Sequence, residues 1–141
     1  MSADVAPWDL AGLDADRLDH AYRDLARMID WMRSLDVPVP SCWWWHGWSA
    51  HRLHLLRHWY PLAVDPRSTH PKAVAEWWAA FRSLHLEWTA AGLFDHRGAH
   101  LPADDPAGDK VPMPSFDDFV AGLVARRRRE PNGAPRPVPV P

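Results

Sequence analysis

The sequence predicts an all-α fold: a compact bundle of four main helices, with a long irregular loop before the last helix and a disordered Pro-rich C-terminal tail. Three observations predict it. Apolar residues recur at spacings of three and four in four separate segments, and no useful run alternates as a half-buried strand would. Pro, Gly and Asp gather between those segments. The chain has 141 residues, 47% of them apolar, enough for one domain to bury a core without disulfide or metal. That domain should span 11–129, with residues 1–10 poorly ordered and 130–141 forming the tail.

The first helix is expected over 14–35. Leu18, Tyr22, Leu25, Ile29 and Met32 form one buried stripe, and Asp14 or Asp16 can accept from a free backbone N–H at its start. Asp19, Arg23 and Arg27 lie on its wetter side. The segment DVPVP ends it, because Pro lacks a donor and restricts the residue before it. Ser49 is the expected cap of the second helix, which should run to about Pro61 with Leu53, Leu56, Trp59 and Tyr60 on one face and Leu55 beside them. The third should open at Pro71 and stop at Gly92, a favoured residue just past a helix end. Val74, Trp77, Trp78, Phe81, Leu84 and Trp88 make its apolar face, with His85 buried among them. Residues 93–114 are rich in Gly, Pro and Asp and read as a loop. Ser115 to Asp118 fits a capping box, and Phe116, Phe119, Val120, Leu123 and Val124 follow at helical spacing up to the run RRRRE. The tail PNGAPRPVPVP cannot bury enough surface to offset its ordering entropy.

Trp31 and Met32, Trp59, and Trp78, Phe81 and Trp88 are expected to meet in one core, closed by Phe116, Phe119 and Leu123. Composition narrows the function classes. The formal net charge is only −2, so bulk electrostatics does not draw the chain onto nucleic acid or an anionic membrane. No apolar run reaches the length of about 18 residues needed to span a bilayer, and the N-terminus lacks the pattern of a secretory signal. The lone Cys42 has no intramolecular disulfide partner, which points to a reducing compartment and a cytoplasmic protein.

The stretch SCWWWHGWSAHRLHLLRHWY, residues 41–60, holds five of the ten Trp, four of the nine His and the only Cys. Four chemistries compete for it and for the basic run. His51, His54 and His58 project from one side of a helix, but His51 and His58 lie about 10 Å apart along the axis. His54 and His58 are therefore the weak metal candidates, against histidines that face solvent or stack on Trp, and no cofactor is expected. A nucleophilic Cys42 would need a stabilised thiolate; among three Trp it reads as a small apolar group, and no catalytic residue is assigned. Arg126, Arg127, Arg128 and Arg129 are the candidate nucleic-acid contact, although cations at a helix C-terminus also oppose the helix dipole. Trp43, Trp44 and Trp45 are consecutive and cannot all point one way. Trp44, Trp45 and Trp48 are therefore the candidate interaction surface, since Trp is a usual interface anchor.

The stretch PSCWWWHGWSAHRLHLLRHWYPLAVDPRSTHPKAVAEWW resembles a family of unknown function from high-GC Gram-positive bacteria, whose members are often encoded on plasmids, integrative elements and phages. Pro40, Cys42, Trp43, His46, Leu53, Leu56, Trp59 and Trp77 occupy its pattern, and Gly47 stands where the family commonly has Pro. The family has no established activity, and the resemblance implies only a small accessory protein of the bacterial cytoplasm, encoded on a mobile element. It makes Cys42, Trp43, His46, Trp59, Trp77 and Trp78 an organising core motif. The functional expectation is a non-enzymatic adaptor that binds another protein or a second copy of itself. A DNA-binding accessory factor and a small structural zinc protein are the alternatives.

Overall fold

A computed structural model describes residues 5–67, 70–95, 99–100 and 108–130. The fold is all-α. Four helices carry it: α1 over Ala15–Ser34, α2 over Gly47–Ala63, α3 over Pro71–Ala90 and α4 over Phe116–Arg129. Single 3-10 turns at Leu10–Gly12 and Leu93–Asp95 precede α1 and follow α3. Strand β1, Ala99–His100, pairs antiparallel with β2, Val111–Pro112, inside the connection before α4. Of the expected tail, 130–141, residues 131–141 lie outside the described residues, as do 1–4 of the N-terminus.

Local chemistry sets most helix ends. The Asp14 carboxylate accepts from the Arg17 N–H at 2.9 Å, and the Ser115 hydroxyl from the Asp118 N–H at 3.1 Å, each satisfying one orphan donor. His70 caps α3 through Nδ1, with Pro71 in the first turn. Gly92 takes φ +74, the left-handed conformation expected just past α3. The end of α1 is tighter than Pro alone would make it. Asp36 sits at φ 60, its N–H reaches the Arg33 carbonyl and the Val37 N–H reaches that of Met32. This is a Schellman closure with Asp in place of Gly, completed before Pro38.

Two ends differ from expectation. Helix α2 begins at Gly47, so Ser49 lies inside it and is fully buried rather than capping. It also continues through Pro61 to Ala63, because a Pro in the last turn removes only one helical hydrogen bond. Residues 5–10, expected to be poorly ordered, pack onto the bundle: Leu10 is buried and the Pro7 carbonyl is bonded by His54.

Helix α2 lies along α3 and α1 lies along α4, while α1 also meets α2. Leu25, Ile29, Met32, Leu53, Trp77, Leu84, Trp88 and Val120 are at most 1% exposed and form the centre of the core. Burying each such side chain is worth about 1.5–3 kcal/mol. Trp77 is the buried member of the Trp77–Trp78 pair. Trp31, Trp59 and Trp78 were expected in the centre but sit on its rim, Trp31 against the rings of Tyr60 and Trp78. His85 is half-buried beside Trp88 and Phe94 rather than enclosed.

Candidate functional site

The Trp triplet is the clearest departure from the sequence reading. Residues 41–45 form consecutive turns, closed by the Trp43 N–H on the Pro40 carbonyl and the Trp45 N–H on that of Cys42. All three indoles are buried. Trp43 lies 5.7 Å from the Phe116 ring and Trp44 lies 5.0 Å from that of Phe119, so α4 roofs the turn. Trp44 and Trp45 are therefore core residues and do not form a surface. Trp43 and Trp44 both meet the Phe116 ring, because a turn enclosed by other elements can bury consecutive rings together.

The rest of the motif is also structural. Cys42 is buried, its Sγ 3.7 Å from the Leu93 carbonyl, and burial pushes its thiol up to about 11, far from a reactive thiolate. His46 precedes α2, with its ring between those of Trp45 and Trp48. Trp77 Nε1–H donates to the Leu56 carbonyl at 2.8 Å, fixing α3 against α2.

The histidine row divides. His51 and His58 are exposed, but His54 retains only 3% exposure. Its Nε2 lies 2.7 Å from the Pro7 carbonyl, and since a carbonyl only accepts, Nε2 carries the proton. Burial, aided by His58 and His51, holds its pKa below the usual histidine range. The expectation that this row faces solvent or stacks on Trp fails at His54 because the segment from Val5 to Leu10 covers it, which no pattern within α2 reveals. The rings of His54 and His58 approach to 4.5 Å edge-to-face, yet among the described residues no three His, Cys, Asp or Glu converge to hold a metal ion. A cleft of about 580 Å³ lies here, where Val5, Pro7, Leu13 and Ala21 meet His20, His54 and His58. Its carboxylates are engaged elsewhere, Asp16 by Arg128 and Asp24 by Arg57.

The basic run is divided too. Arg127 is 19% exposed and donates to the carbonyls of Ala11 and Leu13, while its Nε lies 3.3 Å from Glu130. Arg128 bonds Asp16 across to α1. Arg127 thus ties the N-terminal segment to α4. Arg126, Arg128 and Arg129 keep the exposure that a phosphate contact requires, but Arg127 does not.

One surface feature was missed in the sequence. On α2, Ala50, Leu53, Leu56 and Ala63 face the core, yet Trp48, Leu55 and Leu62 are 42, 45 and 71% exposed. These three repeat every seven residues and lie nearly in line on a helix, with half-buried Trp59 beside them. Helix α2 is apolar on both faces, and this outward stripe runs about 21 Å at 1.5 Å per residue. The signal was present: Leu55 stands off the inward face, and Trp48 and Leu62 stand off it in register. Among the candidates for an interaction surface, Trp48 alone belongs to the stripe. No helix among the described residues is long and apolar enough to cross a membrane. Comparison with family models, with curated proteins and with solved structures finds no match to this chain.

Proposed function

We propose that this protein is a non-enzymatic accessory or adaptor protein that acts by binding another protein through the outward face of α2. The observation that carries this reading is the stripe Trp48, Leu55 and Leu62, edged by Trp59. An apolar row rimmed by polar residues marks interaction sites more often than scattered exposed side chains do. His51, Arg52 and His58 supply that rim. The row also has the aromatic and aliphatic anchors that dominate binding energy at interfaces. Catalysis has less support, since Cys42 is buried and held protonated and Ser49 is fully enclosed. In this reading the protein works in a reducing cytoplasm, in keeping with its single free thiol.

The test is affinity capture from the native host with the full chain and its Leu55→Lys variant. Proteins retained by the native chain and lost with the variant, at unchanged helical circular dichroism, are the expected result. An identical set of captured proteins from both would overturn the assignment of this face.

A further inference from the structure

We infer that the occupant of the α2 stripe is a second copy of this chain, docked antiparallel about a two-fold axis through Leu55. The inference rests on the reading of α2 as the binding face and names its partner.

A two-fold interface must be self-complementary, because the same patch serves on both subunits. The stripe meets that condition by its spacing. Trp48 and Leu62 each stand seven residues from Leu55, on opposite sides of it. An antiparallel pair therefore lays Trp48 of one protomer over Leu62 of its partner at both ends, with Leu55 against Leu55 in the middle. Arg52 and Trp59 lie three and four residues from the centre and come opposite one another across the axis, where a guanidinium over an indole face is favourable.

The flanking charges are compatible with that apposition. Arg52 is already paired with Glu87 beside the N-terminal half of α2. Lys72 and Glu76, 3.9 Å apart, begin α3, which adjoins the C-terminal half through the Tyr60–Trp77 contact. Overlaying one half on the other brings these two internally compensated ion pairs, rather than two charges of one sign, towards each other. The area fits a modest dimer. The stripe and its rim present roughly 400–500 Å² per protomer, so a pair removes about 800–1,000 Å², the size of a weak, transient interface. The dimer should therefore dissociate readily on dilution.

Analytical ultracentrifugation of the full chain across roughly 1–500 µM, the range of weak association, tests this. A monomer–dimer equilibrium is expected. Leu55→Lys should weaken it by at least about 100-fold with unchanged helical circular dichroism, because two like charges meet at the axis. Cross-linking fixes the geometry. Leu55→Cys should form an oxidised dimer, and Trp48→Cys should cross-link with Leu62→Cys. Leu62→Cys alone should not, since its two copies lie about 21 Å apart along the helices. The buried native thiol of Cys42 does not compete. A chain that stays monomeric throughout, a dimer that survives Leu55→Lys, or oxidised dimers of Leu62→Cys alone would overturn the proposal. The two readings are distinguishable: if the native chain is monomeric and Leu55→Lys still loses captured host proteins, only the second copy is refuted, whereas capture unchanged by Leu55→Lys overturns the binding face itself.

Discussion

The indole N–H of Trp88 donates to the Ser49 hydroxyl at 2.7 Å, and neither residue keeps any exposure. This bond joins α2 to α3 inside the core, 39 residues apart in sequence. A buried donor left without its partner loses its hydration and gains nothing in return, at about 1–3 kcal/mol. Ser49→Ala should therefore lower unfolding free energy by about that amount in a denaturant titration. A loss within error would mean that the hydroxyl is dispensable and that this contact does not hold the helices.

The Trp triplet and the α2 stripe separate buried from exposed tryptophan. Trp44→Ala should cost about 3–5 kcal/mol, since the ring packs on Phe116 and Phe119. Trp48→Ala should leave stability within about 0.5 kcal/mol at concentrations where the chain is monomeric. Equal effects of the two substitutions on melting temperature would contradict the roofing of the turn by α4.

Acid should loosen the N-terminal segment. His54 binds its proton less readily in the folded chain than in the unfolded one, whose histidine titrates near 6.5. Between those two values the unfolded state holds more protons, so stability is complete above about pH 6.5 and falls as the pH drops below it. His54→Gln keeps a donor for the Pro7 carbonyl and removes the titration. Its unfolding free energy should depend less on pH between about 6.5 and 4 than that of the native chain. Parallel profiles would show that His54 does not couple folding to protons.

Alkali should act on the core with the opposite sign. Burial raises Cys42 from 9.0 to about 11 and Tyr22 from 10.0 to about 12, the latter against the opposing pull of Arg127 and Arg126. Both groups stay protonated longer in the folded chain. Their stabilisation is complete below pH 9 and is lost as the pH rises from there through the folded values. In a Tyr60→Phe variant, absorbance at the phenolate band should show Tyr22 ionising late and together with unfolding; its early, reversible ionisation would contradict its burial.

Arg127→Ala should release the N-terminal segment without unfolding the bundle. Arg127 holds the Ala11 and Leu13 carbonyls, and hydrogen bonds from a charged donor are worth about 1.5–3 kcal/mol. Faster amide exchange confined to the segment around Leu10–Leu13 is the expected result. Arg129→Ala, on an exposed side chain, should leave exchange there unchanged. Equal exchange in the two variants would return the whole run to the solvated helix end that its sequence resembles.

Four helices and most of their ends are legible in the residues that form them. Asp14, Ser115, Pro71 and Gly92 act on backbone groups within three or four residues, so their effects can be read in place. The inward stripe of α1 was equally legible, because a 3.6-residue period is written along one segment. Only the tertiary structure decided the burial of Trp43, Trp44 and Trp45, the enclosure of Ser49 and His54, and the task of Arg127. Each depends on an element far along the chain: α4 over the tryptophans, Trp88 against Ser49, Pro7 over His54, Ala11 and Leu13 before Arg127. Period and capping are local, but solvent is excluded by whatever packs on top, and a helix such as α2, with apolar residues on more than one face, does not say which of those faces the rest of the chain will cover.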